Sequence, residues 1–288
     1  MARVAVIGAG AIGGTIAAWL AEAGHDVFLC VRTPIDHIEV ATPAGTLRPD
    51  VTIWRGIDAA QPVDWVLAAT KTYDSAAAAA WLPALRGPAT PLAVLQNGIE
   101  QVENFAGAPA PIVPAIVDIP AERDAPGRIR QRRLGSIRVP DGAAGSAFAA
   151  LFAGTGIDAA TTADFADIAW RKLAINCAGA VNALTLKPAG ISRDPAVAEL
   201  MRGLIHECRA VAAAEGVVLP AAVADEIVTG YQRGPADGVN SLLADRLAGR
   251  RMEAEARNDV IVRRGARYGV ATPLNSMACA LLSAVQPD

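Results

Sequence analysis

The chain has 288 residues, of which 52% are hydrophobic and 19% charged, and its formal net charge at pH 7 is −3. This composition excludes an intrinsically disordered chain, and the small negative charge gives no sign of a nucleic-acid partner. No apolar run reaches the roughly 18 residues of a membrane span, and the N-terminus lacks a signal-peptide layout, so we expect no membrane partner. The length suggests about two domains of roughly 150 residues each.

The cysteines are spread along the chain. Cys30, Cys177, Cys208 and Cys279 lie far apart and form no C-x-x-C pair. This usage is typical of a protein in the reducing cytoplasm, and it predicts neither a metal site nor a disulfide framework.

A dinucleotide-binding pattern opens the chain. The apolar run Arg3–Ile7 predicts a strand, G-x-G-x-x-G follows on Gly8, Gly10 and Gly13, and Thr15–Ala23 predicts a helix. Gly8 allows a tight turn, Gly10 lets a pyrophosphate approach the backbone, and Gly13 lets the helix pack closely on the strand. The order of strand, glycine turn and helix is what makes the motif specific.

The start of that helix supplies the rest of the predicted cofactor site. Free N–H groups and the positive end of the helix dipole attract phosphate groups. Ala11 and Ile12 complete the motif and belong to the same predicted site.

The end of the second predicted strand, Asp26–Val31, indicates which nicotinamide cofactor binds. NAD-binding units usually carry an acidic residue there to accept hydrogen bonds from the ribose, but this chain has Arg32. A guanidinium suits the 2′-phosphate of NADP, so we predict NADP(H). Asp36 and Glu39 follow and could still serve as ribose ligands.

Further strands are predicted over residues 51–54, 64–70, 91–96, 111–117 and 127–139, with a helix over 75–85, and the last two strands are expected to finish one sheet. Lys71 and Asn97 follow the carboxyl ends of two of these strands, where a doubly wound sheet binds its ligand. Lys71 could face a cofactor phosphate or a substrate carboxylate, or be an ordinary exposed lysine.

The periodicity becomes helical from about residue 164. Helices are predicted over 166–186, 195–215, 220–231, 241–247, 252–268 and 273–285. We therefore predict an α/β chain with a Rossmann-type doubly wound domain over 1–160, which binds the cofactor, and an all-helical domain over 161–288. The cleft between them would be the default substrate site.

Candidate chemistry in the helical half lies at three places. Lys172 and Asn176 are four residues apart, hence on one helix face, among apolar neighbours. Ser241 opens a later helix, where a serine is usually only a cap, and Glu253 lies in the charged run 250–257, which is by default a solvated face. Spacing alone leaves Lys172 as either a proton donor or a lysine reaching to solvent.

Taken together, the motifs resemble the ketopantoate reductase (2-dehydropantoate 2-reductase) family over essentially the whole chain. The residues that carry the resemblance are Gly8–Gly13, Arg32, Thr70–Thr72, Gln96–Gly98, Trp170–Asn176, Ser241–Asp245, Glu253 and Asn258. Their order and wide spacing are more specific than any single motif.

The resemblance implies NADPH-dependent reduction of a small 2-oxo acid, ketopantoate, to pantoate. It makes Lys172 the catalytic acid and places Asn97, Asn176, Ser241 and Glu253 in the substrate and nicotinamide site. It also brings the residues at Arg32 and Lys71 to the phosphate region of NADP. For Lys172, Asn176, Ser241 and Glu253 it therefore favours the functional interpretation.

Three departures from the family pattern fall near the substrate end. Ala180 stands where a second asparagine is common, with Asn182 nearest to it; Glu100 replaces a frequent glycine; and residues 114–123 differ from well-known members. Two alternatives follow: a related reductase or dehydrogenase for another oxo acid, hydroxy acid or imine, and a non-catalytic NADP-binding regulator. The sequence does not reveal the oligomeric state, and a homodimer rests on general grounds.

Overall fold

The computed structural model describes residues 1–108 and 111–287, and the chain divides into two compact units, Met1–Phe165 and Ala166–Asp288. Asp288, the last residue of the predicted second domain, lies outside the described residues. Each unit is described by itself below.

The first unit contains three sheets. Its strands are β1 (Arg3–Ile7), β2 (Asp26–Cys30), β3 (Glu39–Thr42), β4 (Gly45–Leu47), β5 (Thr52–Trp54), β6 (Trp65–Ala68), β7 (Leu92–Val94), β8 (Ile112–Pro114), β9 (Ile116–Asp118), β10 (Ala121–Ala125), β11 (Arg128–Gln131), β12 (Gly135–Pro140) and β13 (Ile157–Thr162). Its α-helices are α1 (Ala11–Glu22), α2 (Ser75–Ala79), α3 (Leu82–Leu85) and α4 (Ala143–Ala150).

The main sheet is parallel and has the strand order β5-β2-β1-β6-β7-β8. Its central strands are continuous apolar runs because both faces are covered: the side chains of Val4 and Val6 pack in one core cluster, and those of Ala5 and Ile7 in another. The order reverses between β1 and β6, and the carboxyl ends of these two strands form the switch point where such sheets bind ligands. The predicted Rossmann-type fold class is confirmed.

Two strand predictions were wrong in this unit. Residues 111–117 and 127–139 each contain two strands that belong to different sheets. Only β8 joins the main sheet, whereas β9 pairs with β12 and β13 in a three-stranded sheet, and β11 pairs with β3 and β10 in a four-stranded one. Residues 132–134 separate the two strands of the second segment, and β12 starts at Gly135, where a Cβ would overlap Ile119. Residues 75–85 form two short helices, α2 and α3, instead of one.

The second unit is helical, and its described residues, 166–287, contain no strand. Its helices, the first of which begins at the last residue of the first unit, are α5 (Phe165–Ala178), α6 (Ala180–Thr185), α7 (Pro195–Ala214), α8 (Val223–Arg233), α9 (Ser241–Leu247), α10 (Val260–Tyr268) and α11 (Pro273–Ala284). Two predicted helices differ: 166–186 is interrupted at Gly179, and 252–268 starts with a π-helix over Glu255–Asp259.

Glu207 on α7 fixes the start of α11. Its carboxylate accepts hydrogen bonds from the backbone N–H groups of Leu274 and Asn275, both at 2.8 Å, and from Asn275 Nδ2 at 2.7 Å. The first N–H groups of a helix lack intrahelical acceptors, and a carboxylate there also interacts favourably with the helix dipole. Asn258 Nδ2 donates to Asn275 Oδ1, which ties the π-helix to the same point.

A half-buried ion pair joins α10 to the end of α7. Arg264 Nη1 donates to both carboxylate oxygens of Glu215, at 2.9 and 2.8 Å, and the two side chains are 14% and 13% exposed. Arg263, one residue earlier, forms a more exposed pair with Asp259.

Replacing Arg264 with Met should lower the free energy of unfolding by about 2 kcal/mol, because Glu215 loses its counter-charge in a poorly hydrated place. We expect less than for a fully buried pair, since both side chains keep some access to water. The measurement is urea denaturation, with Arg263→Met as the control, for which the loss should stay below about 0.5 kcal/mol. Equal midpoints for Arg264→Met and the unmodified protein would contradict this account.

Candidate active site

The glycine turn between β1 and α1 has the geometry that a dinucleotide pyrophosphate requires. Gly8 has φ +100, which favours glycine, and its N–H donates to the carbonyl of Cys30 at 3.0 Å. A Cβ on Gly13 would overlap the carbonyl oxygen of Gly8, so only glycine allows α1 to start this close to β1. By contrast, no protein atom lies within 4 Å of where a Cβ of Gly10 would stand.

Helix α1 begins at Ala11, directly after Gly10. The first hydrogen bond of this turn runs from Gly14 N–H to the carbonyl of Gly10, at 2.9 Å. The N–H groups of Ala11 and Ile12 therefore have no acceptor within the helix, and they point out of its positive end. Open space beside Gly10, together with these donors, fits a pyrophosphate, so the residues present suit a dinucleotide cofactor.

Arg32 follows the carboxyl end of β2 by two residues, is largely exposed, and donates from Nη1 to Asp74 Oδ1 at 3.0 Å. Asp74 lies just past Lys71, so this ion pair joins the ends of two strands of the main sheet. The acidic alternatives are already paired: Asp36 with Arg55 at 2.8 Å, and Glu39 with Arg48 at 2.7 Å.

Gln96 ties together the two loops that carry Lys71 and Asn97. Its Nε2 donates to Thr70 Oγ1 at 3.2 Å and to the Lys71 carbonyl at 3.3 Å, while its Oε1 accepts from Ser75 Oγ at 3.1 Å. This buried amide comes directly before Asn97, which is half-buried and precedes Gly98 at φ +91.

Two further amides support the same loop. Gln101 Nε2 donates to the Gly98 carbonyl at 2.8 Å, and Asn104 Nδ2 donates to Gln96 Oε1 at 3.1 Å. The sequence motif contains Gln96 but does not predict this network. A glutamine buried at the end of an apolar strand was the available signal.

In the helical unit, α5 carries Lys172 and Asn176. The helix buries Trp170, Leu173 and Cys177, while Lys172 is half-buried. Asn176 is 9% exposed, and its Nδ2 has no hydrogen-bond partner among the residues that the structure describes. An amide donor buried without an acceptor is costly, and it is often found where a ligand completes the hydrogen bond.

Asn240, not Ser241, caps α9. Its Oδ1 accepts the N–H of Leu243 at 2.9 Å, and its Nδ2 donates to the carbonyl of Gly179 at 3.0 Å and to Asn182 Oδ1 at 3.1 Å. The helix break at Gly179 therefore gives Asn240 an acceptor on α5–α6. Ser241 is therefore not the N-cap of α9, and Asn182 Oδ1 helps to fix Asn240 by accepting its hydrogen bond.

The charged run 250–257 is not a uniformly solvated face. Glu253 and Arg257 are each 2% exposed, whereas Arg251 is exposed and pairs with Glu255. Arg257 Nη2 donates to Ser241 Oγ at 2.6 Å. Burial lowers the pKa of Arg257, and the negative charge of Glu253 is the largest opposing effect. The charge pattern of the sequence did not indicate Arg257, because a run of charged residues is by default a solvated face.

Tyr231 on α8 connects these groups to α5. Its hydroxyl donates to the Ile175 carbonyl at 3.1 Å, and burial raises its pKa to about 12, partly offset by the charge of Arg257. The structure thus brings Ser241 and Glu253 close to Arg257 in the helical unit, and Tyr231 bonds to the backbone of α5 one residue before Asn176. The glycine turn, Arg32, Lys71 and Asn97 form the other group, on the carboxyl edge of the main sheet.

No cluster of three or more His, Cys, Asp or Glu side chains that could hold a metal ion occurs in residues 1–108 and 111–287. Within the same described ranges, no helix is both long and apolar enough to pass through a bilayer.

Two family models match the chain. Residues 4–144 match "Ketopantoate reductase PanE/ApbA", and residues 164–286 match its C-terminal domain. The chain belongs to the ketopantoate reductase family.

Relatives of the ketopantoate reductase family match over the full length. A 2-dehydropantoate 2-reductase from Caulobacter vibrioides is 55% identical over 287 residues, 99% of each chain. One from Mycobacterium tuberculosis is 39% identical, covering 98% of this chain and 97% of that protein. The predicted family is confirmed, and the chain is an oxidoreductase acting on a CH–OH/C=O pair.

Solved structures agree. The PanE/ApbA family ketopantoate reductase from Ralstonia eutropha has a TM-score of 0.89 at 32% identity, covering 99% of this chain and 98% of that one. The 2-dehydropantoate 2-reductase from Geobacter metallireducens has a TM-score of 0.92 at 27% identity, covering 98% and 99%. D-mandelate dehydrogenase, at 20% identity and a TM-score of 0.90, shows the shared fold alone.

Gly10 and Gly13 of this reductase should respond differently to replacement by alanine. Gly10→Ala should leave the urea midpoint unchanged and weaken NADPH binding at least about tenfold, because its Cβ meets no protein atom but fills the space beside the helix start. Gly13→Ala should lower stability as well, because its Cβ overlaps the Gly8 carbonyl. Calorimetric titration with NADPH, beside the urea curves, separates the two effects. A Gly10→Ala variant that binds NADPH as tightly as the unmodified protein would refute the assignment of the turn.

Proposed function

We propose that this chain reduces 2-dehydropantoate to pantoate with NADPH. The observation that carries the proposal is the full-length identity of 55% to a 2-dehydropantoate 2-reductase, which spans both units and the residues described above. Ketopantoate reductases are NADPH-dependent. The division of labour that we propose assigns cofactor binding to residues 1–160 and substrate binding and proton transfer to residues 161–288.

On this proposal, Gly8, Gly10, Ala11, Ile12 and Gly13 hold the cofactor pyrophosphate at the start of α1. When bound, the dihydronicotinamide supplies the hydride. The other residues that we assign to the cofactor are Arg32, Lys71 and Asn97.

The assignment of Arg32 and Lys71 is supported by their position beyond the strand ends of the main sheet. Arg32 offers its guanidinium to the 2′-phosphate, and the ion pair with Asp74 holds it near the loop of Lys71. Gln96 keeps the loops of Lys71 and Asn97 in one arrangement through its buried amide. Such fixed loops reduce the ordering cost of binding the cofactor.

We assign Asn97, Asn176 and Ser241 to the carboxylate and carbonyl of the oxo acid. Asn176 Nδ2, which is buried without an acceptor in the described chain, supports a donor role. Ser241 supports the same role, because Asn240 takes over the helix cap. An amide donor without an acceptor and a hydroxyl whose proton the helix cap does not need can orient a small polar substrate.

Lys172 is our candidate for the general acid. As hydride reaches the carbonyl carbon, negative charge grows on the oxygen, and a proton from Lys172 Nζ neutralises it to give the hydroxyl. Glu253, buried in the same unit, is the anionic partner that would keep this lysine protonated before the substrate arrives.

Lys172→Ala should reduce turnover of 2-dehydropantoate about 10²–10⁴-fold and leave NADPH binding nearly unchanged, since the turn and Arg32 lie in the other unit. The assay is steady-state NADPH oxidation with 2-dehydropantoate and a panel of 2-oxo acids. Lys187→Ala, which removes an exposed lysine of the helical unit, is the matched control and should keep full turnover. Near-full turnover by Lys172→Ala would exclude it as the acid, and no turnover of 2-dehydropantoate by the unmodified protein would refute the proposed substrate.

Arg32→Ala should remove most of a preference for NADPH over NADH. A guanidinium–phosphate contact is worth about 1.5–3 kcal/mol, on the order of tenfold to a hundredfold in affinity. Titration of both cofactors into the variant and into Arg48→Ala, which loses an exposed arginine paired with Glu39, measures the effect. Equal affinity of the unmodified protein for NADPH and NADH would contradict the role of Arg32.

We also propose a cytoplasmic homodimer. One structural relative, from Staphylococcus aureus, is described as a dimeric ketopantoate reductase. All four cysteines are free thiols, and Cys30, Cys177 and Cys208 are buried, in keeping with a reducing compartment.

A further inference from the structure

Arg257 is a buried cation that the proposed function has not used. Its side chain lies in the π-helix Glu255–Asp259, and the residue is 2% exposed. Its Nη2 donates to Ser241 Oγ at 2.6 Å, whereas its Nε has no hydrogen-bond partner in the described part of the chain. Burying a guanidinium is costly unless charge and hydrogen bonds compensate it, so its retention beside Ser241 calls for a reason.

Arg264 is a largely buried arginine of the same unit that has a structural role, and its contacts differ from those of Arg257. Arg264 donates to both carboxylate oxygens of Glu215. Arg257, which is more buried, instead donates to a neutral hydroxyl. Burial lowers its pKa, and the negative charges of Glu253 and Asp245 counteract that effect. Nearby carboxylates thus stabilise its positive charge, while its Nη2 donates to Ser241.

The bond to Ser241 fixes the direction of the serine hydroxyl. A guanidinium can only donate, so Ser241 Oγ must be the acceptor, and its own proton must point to a different acceptor. Helix α9 does not need that hydroxyl as its N-cap, because Asn240 Oδ1 already caps the helix. Ser241 is exposed and Arg257 is buried, so a ligand on the exposed side of Ser241 can accept that proton.

We propose that Arg257 is a positioning residue for recognition of the substrate carboxylate. It orients and polarises Ser241 as a hydrogen-bond donor. In this arrangement Ser241 Oγ lies between the guanidinium and the bound carboxylate, so the positive charge is close to the carboxylate without touching it. This inference rests on the proposed function, and it adds that the site selects 2-oxo acids with a free carboxylate over their amides or esters.

The test compares kinetic constants for 2-dehydropantoate in Arg257→Met, Arg257→Lys, Ser241→Ala and the double variant Ser241→Ala/Arg257→Met. Arg257→Met should raise KM about 10–100-fold and change kcat less than about threefold, because the bond to Ser241 serves binding of substrate and transition state alike. Arg257→Lys should recover part of the loss. The double variant should have a KM close to that of Ser241→Ala, since the two side chains act as one unit.

Arg264→Met is the matched control. It should lower the urea midpoint clearly while leaving KM unchanged, which separates carboxylate recognition from general destabilisation. A second control uses the unmodified enzyme with the carboxamide of 2-dehydropantoate, for which Arg257→Met should cause little further loss.

Several results would overturn the inference: an unchanged KM in Arg257→Met, an equal loss for carboxylate and carboxamide, or additive losses in the double variant. If Arg257→Met does not fold, Arg257→Gln, which also removes the charge, takes its place, and an unchanged KM in that variant has the same force. Calorimetric titration of 2-dehydropantoate and its carboxamide keeps the two proposals apart. A protein that binds the acid through Arg257 without reducing it would refute the proposed function and leave this inference standing.

Discussion

The helical unit is organised by the need to pair polar groups that are out of contact with water. Glu207 satisfies the first N–H groups of α11 and the amide of Asn275, and Asn240 spans from α9 to the broken end of α5. An unpaired buried donor costs about 1–3 kcal/mol. In the described part of this unit, four buried side-chain atoms have no hydrogen-bond partner: Asn176 Nδ2, Arg257 Nε, Asn258 Oδ1 and Arg264 Nε. Asn176 and Arg257 differ from the other two because they belong to the groups proposed for the substrate, where a ligand can supply the missing acceptor.

The first unit meets the same constraint with a different result. Gln96 brings the loops after β6 and β7 into one hydrogen-bonded arrangement, and Gln101 supports the turn at Gly98. These loops carry Lys71 and Asn97, so the side chains proposed for the cofactor stand on backbone that is already fixed. The glycine turn contributes in the opposite way, by leaving space beside Gly10 and free N–H groups at the start of α1. The carboxyl edge of the main sheet therefore combines loops that are held by hydrogen bonds with open space for a ligand beside Gly10.

The parts of the fold that the sequence predicts well are those governed by local rules. β1, the glycine turn and α1 follow from an apolar run, G-x-G-x-x-G and a helix-forming segment. The partition of residues 111–140 among three sheets could not be predicted, because an apolar strand pattern shows which face is buried but not which strand lies alongside. The interruption at Gly179 depends on tertiary contacts: a Cβ there would meet Asn240 Nδ2 and Tyr231 Oη.

The charged run 250–257 shows where pattern reasoning fails at a site and why. Charges in a predicted helix are expected to face water, yet Glu253, which precedes the π-helix, and Arg257, which lies in it, are both buried. Arg257 Nη2 donates to Ser241 Oγ at the start of α9. An anion-binding site needs positive charge that water cannot screen, and a general acid needs a nearby carboxylate. A buried arginine bonded to a serine hydroxyl and a buried carboxylate in the same unit suit these two requirements, which is why reasoning from the charge pattern fails at this position.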